Sequence, residues 1–309
     1  MPSARALACP ASLKGVLSAR DAAAALGEGL RRWADADELA VADGGEGTLE
    51  VLHAALGGRW HEAEVADAFA RPRVARWLDL PTGVAAVEAA EAIPLDPKRR
   101  DPFAASSRGL GELIEAVGRP RELLVCLGGT ANVDGGAGLL EVLDELPAPT
   151  RVACDVDVPL VDAARVFAAQ KGASRKQARE LEARLLTMPQ LTAYADLPGA
   201  GAAGGLGAAL ASLGGELVSG ARFVLDLVGF DAAGYDVVVT GEGTVDRTTM
   251  RGKAPGEIAR RCTAAGVRCV VFGGRVVAPL EDVETIALSG DPSRARADLV
   301  SLGLELGPQ

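Results

Sequence analysis

Residues 236–274 read DVVVTGEGTVDRTTMRGKAPGEIARRCTAAGVRCVVFGG, and this stretch decides the fold class. Asp236 to Thr240 is a short, β-branched, apolar run, as a strand covered on both faces must be. Pro255 suits a helix start, where its missing N–H has no partner to lose, and Gly256 to Ala264 continues at helical spacing. Cys269 to Phe272 reads as a second strand, Glu284 to Leu288 as a third, and Ser293 to Ser301 as a second helix. Strands that alternate with helices predict parallel pairing, because parallel neighbours need a crossover between them.

Working outward, the first sixty residues share that character. Arg5 to Cys9 reads as a strand, and Ser18 with Asp21 forms an S-x-x-D capping box ahead of Ala22, Ala25, Leu26, Leu30 and Trp33. The apolar segment Leu39 to Ala42 follows, then a helix over about Leu49 to Leu56, stopped by Gly57-Gly58. The middle differs. From His61 to Ala89 the period falls towards two, in short runs broken by Pro72, Pro81 and Gly83, which predicts antiparallel strands. Beyond it lie a helix Leu110 to Val117, strands Leu123 to Leu127 and Arg151 to Cys154, a charged helix Arg175 to Leu186, and the Gly/Ala stretch Gly199 to Gly207. The expected architecture is α/β: a split parallel-sheet domain (1–62 plus 232–309) with an inserted mixed α/β domain (63–231).

Composition narrows the function classes. The chain has 309 residues and a net charge of -10, a field that opposes nucleic acid and anionic lipid. No apolar run approaches the roughly 20 residues of a membrane span. Arg5 precedes only a short apolar stretch, and Pro10, Lys14 and Arg20 follow at once, so no signal peptide is read and a cytoplasmic protein is expected. The five cysteines show no C-x-x-C spacing and are read as buried hydrophobes. His53 and His61 are the only histidines and are read as structural, which leaves carboxylates as the expected proton acceptors.

Three strand-to-loop junctions repeat one design, an apolar run followed by glycines and carboxylates. They are Asp43-Gly-Gly-Glu46-Gly-Thr48, Gly128-Gly129-Thr130 leading to Asp134-Gly-Gly, and Thr240-Gly241-Glu242-Gly243-Thr244-Val-Asp246. Glycines let backbone N–H groups approach a phosphate closely, and carboxylates beside them call for a divalent cation in between. The same residues could simply make turns and cap helices; the threefold repetition favours a nucleotide-phosphate site. Lys14, Lys171 and Lys253 each stand beside a glycine or a turn, where they could offset phosphate charge. No G-x-x-x-x-G-K-[ST] is present, which excludes a P-loop kinase. Gly199 to Gly204 fits G-x-G-x-x-G by letter but follows Asp196-Leu197-Pro198, a poor strand end, so close helix packing is expected there.

With these segments in view, the chain resembles the bacterial glycerate kinase family. The resemblance rests on Cys9-Pro-Ala-Ser-Leu-Lys-Gly, Ala42-Asp-Gly-Gly-Glu-Gly-Thr, Ser107-Arg-Gly-Leu-Gly-Glu-Leu-Ile, Gly128-Gly-Thr-Ala-Asn-Val-Asp-Gly-Gly, Ala153-Cys-Asp-Val-Asp-Val-Pro-Leu, Val166-Phe-Ala-Ala-Gln-Lys-Gly-Ala, Thr240-Gly-Glu-Gly-Thr-Val-Asp and Arg251-Gly-Lys-Ala-Pro. It implies phosphoryl transfer from Mg-ATP to a hydroxyl of D-glycerate or a related hydroxy acid, with a small molecule as partner and neither nucleic acid nor membrane. On that reading Asp43 or Asp134 orients the hydroxyl, with Lys14 beside the reacting groups. Gly128, Gly129, Thr130, Gly241, Gly243, Lys171 and Lys253 hold phosphate, and Glu46, Asp155, Glu242 and Asp246 hold Mg2+. Replacing Asp134 by Asn is expected to cut turnover without lowering the melting temperature. Ala11, Val133 and Thr248 replace polar residues of the family pattern, which leaves a catalytically silent sensor as the alternative.

Overall fold

The computed structural model describes residues 4–308. Along the chain run β1 (Ala4–Ala8), α1 (Ala19–Leu30), β2 (Ala34–Glu38) and α2 (Thr48–Leu56). Then follow β3 (Arg59–Ala66), β4 (Pro72–Asp79), β5 (Val84–Glu88), α3 (Ala89–Ala92), α4 (Arg108–Val117), β6 (Glu122–Leu127), α5 (Ala137–Leu140) and β7 (Thr150–Cys154). Next come α6 (Ala163–Phe167), α7 (Arg175–Leu186), α8 (Ala202–Ser212), β8 (Glu216–Ser219) and α9 (Gly220–Leu227). The chain ends through β9 (Val237–Val245), α10 (Ala254–Ala265), β10 (Arg268–Val276), β11 (Glu284–Ala287) and α11 (Ala295–Glu305).

These elements form two compact units. The first holds the chain through Asp43, then Glu50–Ala55, and everything from Ala221; the second holds Gly44–Leu49 and Leu56–Gly220. A seam at 62/63, the expected boundary, would cut through β3.

The first unit is built on a five-stranded parallel sheet in the order β11-β10-β9-β1-β2. The period of two along its strands sorts side chains to opposite faces. Ala6, Ala8, Val237 and Val239 join Leu26 and Leu30 of α1 and Leu299 and Leu302 of α11 in one core. Leu7, Cys9 and Val238 join Leu225 of α9 and Ile258 and Cys262 of α10 in another. Helices on both faces are what a parallel sheet requires.

One sequence reading is corrected here. The strand beside β1 is Ala34–Glu38, the polar segment ADADE, and the apolar Leu39 to Ala42 is an irregular connection. As an edge strand, β2 can turn Asp37 to Arg5 and Glu38 to Arg31 at its surface. Leu39 and Val41 stay tied to β1 and its extension through N–H bonds to Ala8 O and Pro10 O.

The second unit carries a six-stranded sheet in the order β3-β4-β5-β6-β7-β8. Its first three strands are antiparallel, as the period-two pattern predicts, and β5 to β8 are parallel. Val87, Leu123, Val125 and Leu127 pack with Leu110, Leu113 and Ile114 of α4 and with Leu206 and Leu210 of α8. The Gly/Ala stretch begins α8 with a kink in which Ala203, Gly204 and Gly205 all take positive φ. A Cβ at Gly204 would lie 2.4 Å from Asn132 O, and one at Gly205 would lie 2.8 Å from Gly135 Cα. These glycines therefore serve backbone-to-backbone packing, the role read from the sequence.

All five cysteines are free thiols, four of them buried and Cys269 half-buried. Among the described residues no helix is long and apolar enough to cross a membrane.

Candidate phosphoryl-transfer groups

The sequence-predicted residues divide between the units. Lys14, Asp43, Gly241, Glu242, Gly243, Asp246 and Lys253 lie in the first; Glu46, Gly128, Gly129, Thr130, Asp134, Asp155 and Lys171 lie in the second.

In the first unit, β9 does not end at Thr240. It runs on through Gly241–Val245, paired with Phe272–Val276 of β10, and so carries Glu242 out on a rigid strand. A Cβ at Gly241 would lie 2.3 Å from Phe272 O, so this glycine serves strand packing. Gly243 faces the backbone of Lys14, whose N would stand 3.6 Å from an added Cβ. Glu242 Oε1 accepts from Thr249 Oγ1 at 2.7 Å, and Oε2 accepts from Lys253 Nζ at 3.0 Å. Burial holds the Glu242 carboxyl above the ordinary carboxylate range, against the pull of Thr249 and Lys253, and the charge of Asp43 adds to the rise. Asp246 Oδ1 accepts from the N–H and hydroxyl of Thr248, which holds its carboxyl below the usual range. Lys253, the N-cap residue of α10, acts on both carboxylates. Asp43, Glu242, Asp246 and Lys253 thus form one charged group at the far end of β9, with Lys14 beside Gly243.

In the second unit, two glycine loops press together: a Cβ at Gly128 would lie 2.8 Å from Gly45 Cα, and one at Gly129 would lie 3.4 Å from Glu46 Oε2. Asp134 is buried and accepts five hydrogen bonds. Oδ1 takes Asn132 Nδ2 at 2.8 Å and Gly136 N at 3.1 Å; Oδ2 takes Ser107 N and Oγ at 2.8 Å and Gly138 N at 3.3 Å. Every lone pair is engaged inside the protein, so Asp134 ties its loop to α4 and α5 rather than facing a substrate hydroxyl. Lys171 is only 3% exposed. Its Nζ donates to Asn132 O at 2.6 Å and Thr130 Oγ1 at 3.2 Å. Burial pushes its ammonium down to about 7, with Asp134 opposing. Lys171 is thus held under the glycine loop by Thr130 and Asn132. Asp155 follows β7, close enough for its charge, with that of Asp157, to raise the buried Cys154 thiol.

Glu88 escaped the sequence reading. It ends β5, is buried, and accepts from Leu49 N at 2.7 Å and Gly47 N at 3.2 Å, capping the start of α2. Burial pushes its carboxyl up to about 7 against those two bonds, and Glu91 and Glu46 add to the rise. The signal was the apolar-run-then-carboxylate pattern at Val84 to Glu88, without the glycines that marked the other junctions. Thr249 was likewise missed, since a lone threonine carries no pattern.

A fit for Mg2+ can be judged on these groups. Among the described residues no three His, Cys, Asp or Glu side chains gather as a protein-only cation site. Mg2+ bound with nucleotide needs only one or two carboxylates. Glu242 and Asp246, two carboxylates grouped around Lys253, suit that role.

A two-sheet α/β protein with glycine-rich turns and a carboxylate–lysine pair past its parallel strands defines an anion-handling enzyme class. The comparisons with known proteins give that class its family. The glycerate kinase family model matches residues 6–146 and 147–290, and the chain belongs to that family. It is 36% identical to glycerate 2-kinase of Escherichia coli over 80% of this chain and 78% of that one. It is 33% identical to glycerate kinase of Bacillus subtilis over 86% of this chain and 84% of that one. A crystal structure assigned as glycerate kinase 2 from Salmonella typhimurium LT2 superposes with a TM-score of 0.79 at 29% identity. That match covers 98% of this chain and 97% of the other.

Proposed function

We propose that the chain transfers the γ-phosphoryl group of ATP to a hydroxyl of D-glycerate or a close hydroxy-acid relative. The carrying observation is the Glu242–Lys253–Thr249 group under the field of Asp43, half-buried and not saturated by internal bonds. In such a transfer the hydroxyl oxygen forms a bond to the γ-phosphorus while the bond to the β–γ bridging oxygen breaks, releasing ADP. The hydroxyl proton passes to a carboxylate, and Asp43 takes that role because Asp134 has no lone pair to offer. Lys253 and Lys14 set positive charge against the phosphoryl oxygens, where positioning and neutralisation supply most of the rate. Mg2+, held by Glu242 and Asp246, would neutralise the phosphate chain. Within the second unit taken by itself, the Gly128–Gly129 loop, propped by Thr130 and Lys171, offers backbone N–H groups to a phosphate, with Glu46 beside it.

The test is ADP release from purified protein with Mg-ATP and D-glycerate, with phosphoglycerate identified by phosphorus NMR. ADP that depends on the acid supports the kinase. Thermal stabilisation by the two ligands without ADP would overturn it in favour of a binding protein.

A further inference from the structure

The segment between α3 and α4 carries Lys98-Arg99-Arg100, three successive cations in a chain with 42 acidic against 32 basic residues. All three are exposed. Among the described residues none of them makes an ion pair. Their acidic neighbours are engaged by local backbone N–H groups: Asp96 Oδ1 accepts from Lys98 N at 2.8 Å, and Asp101 Oδ1 from Phe103 N at 3.1 Å and Ala104 N at 3.2 Å.

The segment is fastened to the glycine loop and to the chain beside Lys171. Leu95 N donates to Gly129 O at 2.6 Å, and Pro94 bridges to Thr130. Arg100 lies on Gly172, the residue after Lys171; a Cβ on Gly172 would stand 2.7 Å from Arg100 Cβ. The Arg99 guanidinium sits 3.9 Å above the centre of the Phe69 ring, which fixes its plane and leaves its N–H edges open.

We propose that Lys98, Arg99 and Arg100 form a strap that binds the polyphosphate chain of the nucleotide beside the Gly128–Thr130 loop. The assignment rests on the kinase reading for its physiological ligand. Charge decides between the anions available: three clustered cations match a polyphosphate far better than the single carboxylate of a hydroxy acid.

The experiment titrates inorganic tripolyphosphate, and separately D-glycerate, into the full-length protein and the K98Q/R100Q variant by calorimetry at two salt concentrations. The strap predicts a tripolyphosphate Kd at least about tenfold weaker in the variant, a shallower salt dependence, an unchanged melting temperature and an unchanged response to D-glycerate. Unchanged tripolyphosphate affinity, or no tripolyphosphate binding by the wild type, overturns the strap. Equal losses for both ligands, or loss for D-glycerate alone, overturn it in favour of a general or carboxylate-directed field. Because the readout is binding, it stands apart from the kinase test: ADP release with an unaffected titration removes the strap alone.

Discussion

The two charged groups in this chain contrast in how completely they are satisfied. Asp134 in the second unit is buried and takes five internal hydrogen bonds. Glu242 in the first takes two, and 14% of its side chain remains exposed. The sequence presents both as an acid beside glycines. A carboxylate with nothing left to offer organises a loop, whereas one held by a lysine and a threonine, and repelled by a neighbouring acid, keeps capacity for a ligand.

The largest expected effect falls on the open group. Glu242→Gln should cut kcat/KM by about 10²–10³ while shifting the melting temperature little, read by ADP release and thermal unfolding on one preparation. A fall in stability as large as that of an Asp134 variant would erase the contrast. Asp134→Ala should behave oppositely. It strands five donors, so the urea midpoint should report a loss of about 3–5 kcal/mol, with turnover per folded molecule reduced far less.

Proton linkage sharpens the same difference. Lys171 has a folded value near 7 against 10.5 when free, so the unfolded chain binds more protons between those limits. Its contribution to stability should rise with pH from about 7 towards 10.5, and Lys171→Met should flatten that rise in urea melts. Glu88 acts in the other direction. With its carboxyl raised from 4.5 to about 7, its contribution is present below 4.5 and is lost as pH climbs through 7. Glu88→Gln should remove that decline.

The smallest effect tests backbone strain near the second group. Ala203 has φ 51, which only glycine adopts without cost. Ala203→Gly should stabilise by up to about 1 kcal/mol, measured as a small rise in urea midpoint; a loss of stability would show that the kink is not strained.

Much of this was legible in the sequence. Alternating runs such as Val237 to Thr240 and Cys269 to Phe272 announce a parallel sheet because burial on both faces leaves only apolar side chains. β2 was hidden for the opposite reason: an edge strand needs no apolar face, and ADADE reads as loop. The grouping of Asp43, Glu242 and Lys253 was legible, since all three were singled out and do act on one another. Their division of labour was not. Whether an acid is saturated depends on partners such as Ser107 and Thr249, which are distant in sequence or ordinary in type.

The threading of the chain has a practical outcome for truncation. Because Gly44–Leu49 belongs to the second unit while Glu50–Ala55 returns to the first, no single cut releases either one whole. A fragment expressed as Leu56–Gly220 would leave Glu88 without the N–H groups of Gly47 and Leu49, and Gly128 with bare space where Gly45 had been. The six-residue strip has to travel with whichever piece is meant to keep its glycine loop in shape.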